Sequence, residues 1–132
     1  IQYVTISTRG DAADFGDLNE LRGSPAGASN AVTGIVAGGA SPTYFSSIDK
    51  ITLATLGDAV EYGDLLATNS NFGAGASPTR IIFAGGYSPT GPSRVDVIQY
   101  KQIASSGDTK DFGDLLGAAA LVFPLTNGHG GL

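Results

Sequence analysis

The chain has 132 residues, seven of them basic and twelve acidic, for a net charge of −5, and it contains no cysteine. Disulfide and thiol chemistry are therefore excluded. The few Lys and Arg are scattered and the acidic excess repels phosphate, so no nucleic-acid partner is expected; no apolar run approaches the roughly 20 residues of a spanning helix, so neither is membrane insertion.

Ile1–Thr8 (IQYVTIST) alternates apolar with polar residues and is rich in β-branched types, which predicts a strand. Gly10-Asp11 follows as a tight hairpin turn, and Asp14–Leu18 (DFGDL) is the returning strand. Strict alternation would put Phe15 and Leu18 on opposite faces; Gly16 between them predicts a bulge that restores both to one face. This stretch recurs. Gly10–Leu18 (GDAADFGDL), Gly57–Leu65 (GDAVEYGDL) and Gly107–Leu115 (GDTKDFGDL) start 47 and 50 residues apart, a spacing that marks a repeat protein. Phe15, Tyr62 and Phe112 hold the aromatic position, and Gly16, Gly63 and Gly113 the bulge position.

Small-residue segments come next, with short strands predicted around Ala26–Ser29 and Gly73–Ala76. Thr33–Gly39 (TGIVAGG) and Arg80–Gly86 (RIIFAGG) read as short buried strands, each ending in a Gly doublet that lets the backbone turn or pass close to a neighbour. The loops Ala40–Ser47 and Tyr87–Ser93 follow the doublets, and the path from Gly86 to Gly107 is three residues longer than that from Gly39 to Gly57, which accounts for the change of period. The long strands Ile48–Thr55 and Val95–Ser105 then lead back into the motif. Gly130-Gly131 imitates a third doublet, but counting from Asp114 sets Leu132 opposite Ile35 and Ile82, where a third apolar strand would begin.

The expectation is an all-β chain of about three four-stranded repeats in one repeat domain, residues 1–132, with units near 1–32, 33–79 and 80–132. Four strands in about 50 residues is the pattern of a β-propeller blade. Three blades are too few for a closed ring, and open strand edges are avoided. Further repeats of a longer protein, a second copy completing a six-bladed ring, or head-to-tail copies are the available completions. The start at Ile1 without Met fits a processed product or a piece of something longer.

The doublets Gly38-Gly39 and Gly85-Gly86, each followed by a long strand and then an aromatic strand, resemble kelch repeats. In kelch blades the doublet ends the second strand and an aromatic lies on the fourth; here that aromatic is Phe or Tyr where kelch usually has Trp, and the last hairpin is longer. The wording IQYVTIST with GDAADFGDL, the stretch AGGYSP (Ala84–Pro89) and the ending NGHGGL (Asn127–Leu132) resemble a repeat of structural proteins in marine tailed bacteriophages, especially cyanophages. The resemblance implies a phage particle component; the leading expectation is a non-enzymatic structural virion protein, a tail fibre, other appendage or surface decoration, the alternative a carbohydrate-binding β-propeller module, and the least favoured a fragment of a kelch-type enzyme. Its partners would be copies of itself or other virion proteins, and a host surface glycan where its loops serve attachment.

Nine of the twelve acidic residues sit in the motif. Asp108, Asp111 and Asp114, with their equivalents in the other copies, are the candidate calcium ligands, because hard cations want clustered oxygens. The preferred reading is structural, with the carboxylates satisfying turn and bulge amides and charging an exposed edge. His129 is the single histidine, in a Gly-rich tail without a second His or Cys to share a metal, and no nucleophile elbow is present, so no catalytic role and no cofactor are expected. Gly73, Gly75, Gly85 and Gly86 lack the Lys-Ser/Thr and the helix start of a phosphate loop. The best contact candidates are Tyr44 and Phe45 in one variable loop and Tyr87 and Thr90 in the other, aromatics among small polar residues that stack on a sugar or pack on a protein; the alternative is that the aromatics fill the seam between units.

Overall fold

The computed structural model describes residues 1–91 and 93–126. Ten strands follow in order: β1 (Gln2–Tyr3), β2 (Ala13–Asp14), β3 (Ala26–Ser29), β4 (Thr33–Ala37), β5 (Ser47–Thr52), β6 (Val60–Asp64), β7 (Gly73–Ala76), β8 (Arg80–Ala84), β9 (Val97–Gln102) and β10 (Lys110–Asp114). The chain is all-β: among the described residues there is no helix, and so none to cross a membrane. Every pairing is antiparallel. The strands form a two-stranded hairpin, β1-β2, and two four-stranded meanders, β3-β4-β5-β6 and β7-β8-β9-β10. The meanders are called unit 1 and unit 2 below.

The small-residue strands fall at Ala26–Ser29 and Gly73–Ala76, as the sequence predicts. Residues 115–126, which follow the third copy of the motif, form no strand. The first predicted strand, Ile1–Thr8, shrinks to Gln2–Tyr3. Its counterparts β5 and β9 run six residues because each is laddered on both sides, whereas β1 pairs with β2 alone; an isolated two-stranded ladder is marginal in water. The third apolar strand expected at Leu132 lies outside the described residues.

The chain reverses earlier than the Gly-Asp dipeptides suggest. Thr8 N donates to Thr5 O and Thr55 N to Thr52 O, each at 3.2 Å, so the turn forms before the dipeptide. The bulge is present in each copy. In unit 1, Ile48 opposes Gly63 while Asp49 opposes Glu61, leaving Tyr62 as the extra residue. In unit 2, Ile98 opposes Gly113 and Gln99 opposes Asp111, leaving Phe112. At the first hairpin Gln2 opposes Asp14, and the N-terminal ammonium donates to Gly16 O, the same shift around Phe15.

The core lies between the two meanders. Ile35, Ala37, Ile48, Tyr62 and Leu65 of unit 1 pack with Phe72, Ile81, Phe83 and Ile103 of unit 2. Burying a side chain of the Ile or Phe kind contributes about 1.5–3 kcal/mol, and Ile35, Ile48, Ile81 and Phe83 are almost wholly enclosed. Each Gly doublet contacts the segment that follows its own meander. Gly39 N donates to Asn69 O at 2.8 Å, and Gly86 N to Ala119 O at 2.7 Å. A Cβ on Gly38 or Gly85 would come within 2.5 Å of those same carbonyl oxygens.

Candidate functional site

The strongest recurring geometry is the motif itself, and it joins successive units. Gly57 N donates to Phe15 O and Ala59 N to Asp17 O, both at 2.8 Å. Asp17 N donates to Asp58 Oδ1 at 2.9 Å. One repeat further on, Gly107 N donates to Tyr62 O at 3.1 Å and Thr109 N to Asp64 O at 2.9 Å. Asp64 N donates to Asp108 Oδ1 at 3.1 Å. The leading Gly-Asp of each copy thus docks on the aromatic-Gly-Asp of the copy before it. The approach is close enough that a Cβ on Gly63 would lie 2.0 Å from Gly107 O, and one on Gly16 2.3 Å from Gly57 O.

These contacts account for much of the acidic pattern. Asp58 and Asp108 hold the preceding unit's backbone, where the sequence reading had them serving their own turns. Asp14 and Asp111 accept from the bulge amides of Gly16 and Gly113 at 3.3 and 3.2 Å. Asp64 Oδ1 accepts from Ser46 Oγ at 2.8 Å. Among the described residues no group of three or more His, Cys, Asp or Glu side chains converges on a common point, so Asp108, Asp111 and Asp114 do not form a cation cage together. His129 lies outside the described residues.

The two variable loops do come together. Tyr44 and Tyr87, each half-buried, stack with ring centroids 5.8 Å apart and planes 29° apart. Thr90 is exposed on the second loop, and its hydroxyl pairs with Ser88 Oγ at 3.2 Å. Phe45 is engaged instead by Arg22, whose guanidinium carbon lies 5.3 Å from the ring centroid. The face offered outward is therefore a tyrosine pair beside a threonine. Offset aromatic pairs contribute about 0.5–1.5 kcal/mol beyond burial, so a double-mutant cycle on Tyr44→Ala and Tyr87→Ala, read by denaturant unfolding, is expected to give a coupling of about that size.

A second recess, about 410 Å³ in volume, runs along β3 and β7. Ala28, Asn30, Ala74, Ala76, Pro78 and Thr126 are among its walls. Asn30 Nδ2 donates to Pro78 O and Thr126 Oγ1 to Ala76 O, both at 2.8 Å, so its polar groups are used in holding the units side by side. Among the described residues no acidic, basic or histidine side chain lines it.

Two polar features escape a reading of the sequence alone. Arg22 is buried, its Nη1 donating to Ser47 O at 2.9 Å and Gly38 O at 3.2 Å, while Nη2 reaches Asp49 Oδ2 at 3.3 Å. Asp49 also accepts from Asn19 N at 3.2 Å and Asn19 Nδ2 at 2.9 Å. Unit 2 fills the corresponding positions with Asn69, which donates to Gly85 O, and Gln99, which accepts from Leu66 N. The signal was a polar residue in the middle of each long strand, at Asp49 and Gln99, visible only once the repeats are aligned.

Lys101 is the other. It is buried, its ammonium lies 4.5 Å from the Tyr62 ring centroid, and it donates to Gly107 O. Burial pushes its pKa below the ordinary lysine value, and Asp108 partly opposes this. The unfolded chain then binds the proton more tightly than the folded one, so stability rises with pH between the folded value and the ordinary one. Lys101→Ile, which installs the residue unit 1 carries at Ile51, is expected to remove that rise; melting curves of both proteins across the alkaline range check it. A rise of equal size in the variant would refute the assignment to Lys101.

Compared with known proteins, the chain matches no family model and is similar to no curated protein at a significant level.

Proposed function

We propose that the chain is a non-enzymatic structural protein of a tailed-phage particle, a tail fibre, other appendage or surface decoration, built from kelch-like β-propeller blades. The phage attribution rests on the resemblance of IQYVTIST, GDAADFGDL and AGGYSP to the repeat of such proteins. The blade reading draws support from the four-stranded meanders, from the Gly doublet after the second strand of each, and from the neighbouring course of β3 and β7. The observation that carries the structural role is the repeated docking of Gly57 on Phe15 and of Gly107 on Tyr62. It is an assembly contact made of main-chain groups, reinforced by the Asp58 and Asp108 carboxylates, which accept from the preceding copy's backbone.

In this reading the Tyr44–Tyr87 pair and Thr90 form the attachment surface. Quantitative mass spectrometry of purified particles tests the proposal directly: the chain is expected at a fixed, stoichiometric copy number, and its absence from particles would sink the virion assignment. A second reading, a carbohydrate-binding propeller module, is favoured by the same pair, since an aromatic face beside a hydroxyl suits a sugar ring. Glycan-array binding that disappears in Tyr44→Ala or Tyr87→Ala would favour it over a purely structural role.

A further inference from the structure

We propose that a second copy of this chain docks head to tail on the Phe112–Gly113–Asp114 rim of β10, using its own Val4–Ala12 segment. The inference goes beyond the virion assignment and does not depend on it. Its basis is a contact that the chain already makes twice with itself and leaves half-made at two places.

The forward face of unit 1 and that of unit 2 carry equivalent residues, but among the described residues only the first is covered. In unit 1, Ile35 is 1 % exposed, Ile48 0 %, Tyr62 9 % and Leu65 4 %. Their equivalents Ile82, Ile98 and Leu115 are only half-buried, and Phe112 is 52 % exposed. What covers Tyr62 is the next unit's long hairpin: Tyr62 Oη donates to Ile103 O at 2.9 Å, and Lys101 lies over the ring. Phe15 is likewise buried, beside Ile51 and Leu53 of the next hairpin. Phe112 has the same bulge geometry, and among the described residues no hairpin covers it and none comes within 4 Å of a Cβ on Gly113.

The complementary half is displayed by the first hairpin. Val4 and Ile6 hold the positions of Lys101 and Ile103, yet Val4 is 58 % exposed and Ile6 98 %, against 3 % for Ile103. Gly10 and Asp11 hold the positions of Gly107 and Asp108, and both are exposed. Carrying the internal contact over unchanged, Gly10 N donates to Phe112 O of the neighbouring copy and Ala12 N to Asp114 O. Asp114 N donates to the Asp11 carboxylate, and Val4 and Ile6 close over Phe112. The two patches differ, so the interface is heterologous and yields a closed ring or an open series according to the rotation between copies. The contact covers the unpaired rim that an isolated copy exposes.

The test follows from this asymmetry. In sedimentation velocity over a concentration series, the wild-type chain is expected to grow in mass, to one closed size or to an open ladder. Ile6→Glu and Phe112→Glu each remove one patch, so each alone stays monomeric, with the wild-type circular dichroism spectrum. An equimolar mixture of the two retains one intact pairing and forms dimers and nothing larger. Because the chain has no cysteine, Ile6→Cys and Phe112→Cys provide an independent measure that does not rely on charge. Mixed and mildly oxidised, they are expected to cross-link to each other, and neither to itself. A wild-type chain that remains monomeric up to its solubility limit overturns the proposal, as does Ile6→Glu that still dimerises or Phe112→Cys that cross-links to itself.

Discussion

Gly63→Ala is expected to cost more than about 4 kcal/mol, whereas the same change at Gly113, in the identical motif, costs about 1–3 kcal/mol. Both residues have φ near +135°, at +130° and +138°, a region that residues with a Cβ adopt only under strain. That strain is common to the two sites and sets the smaller figure. The difference lies in what a new methyl group meets. At Gly63 it falls 2.0 Å from Gly107 O and 2.4 Å from the carbonyl carbon, backbone that cannot rotate aside. Relief requires the hairpin of unit 2 to lift from Tyr62, which breaks the Gly107–Tyr62 and Thr109–Asp64 hydrogen bonds and exposes the tyrosine. A domain of this size has about 5–15 kcal/mol of stability in total, so Gly63→Ala removes a large part of it. Urea unfolding of both variants with linear extrapolation measures the two losses; equal losses would mean that docking on the motif contributes little.

Asp49→Ala is the second large effect, at about 3–5 kcal/mol. It leaves the buried Arg22 guanidinium without its buried carboxylate, and leaves Asn19 N without its acceptor. Glu20 also approaches Arg22, at 3.5 Å, but from an exposed position where its charge is screened. Unit 2 suggests the remedy. Arg22→Asn with Asp49→Gln installs the neutral pair Asn69 and Gln99, which satisfies the corresponding backbone groups without any charge. Exchanging a buried ion pair for a well-packed neutral arrangement is often close to neutral, so the double variant is expected to recover most of the loss. Gln99 also accepts from Thr109 Oγ1 at 2.6 Å, and unit 1 has Ala59 at that position, so adding Ala59→Thr supplies the missing partner. Chemical denaturation of the single, double and triple variants checks the order. A double variant as unstable as Asp49→Ala would show that the charges themselves are needed.

The strands were legible in the sequence because each is short, apolar or small, and bounded by Gly, Pro or Asn. Ala26–Ser29 and Gly73–Ala76 are found at the expected limits for that reason. The bulge was legible because a single Gly in DFGDL breaks a period of two. The role of Gly-Asp was not. Read locally it is turn chemistry, and only the three-dimensional neighbour shows that the turn closes earlier and that Gly57 and Gly107 face a different repeat. Arg22 and Asp49 were hidden for a similar reason: singly, each looks like a solvent-facing charge, and their burial depends on a junction lacking any local signature. The loop aromatics illustrate both sides, since Tyr44 and Tyr87 come together across loops of different length while Phe45 is held by Arg22.

Beside the buried side-chain core, the junctions between repeats carry a set of main-chain hydrogen bonds: Gly57 with Phe15, Gly39 with Asn69, Asn71 with Ser24. Such bonds do not depend on which side chain a neighbour carries, provided the few glycines are kept. Unit 1 can hold a charged pair where unit 2 holds amides, and still meet the next repeat in the same way. One consequence concerns inheritance. An in-frame duplication of one unit would recreate these main-chain bonds at the new junction wherever the motif glycines are kept.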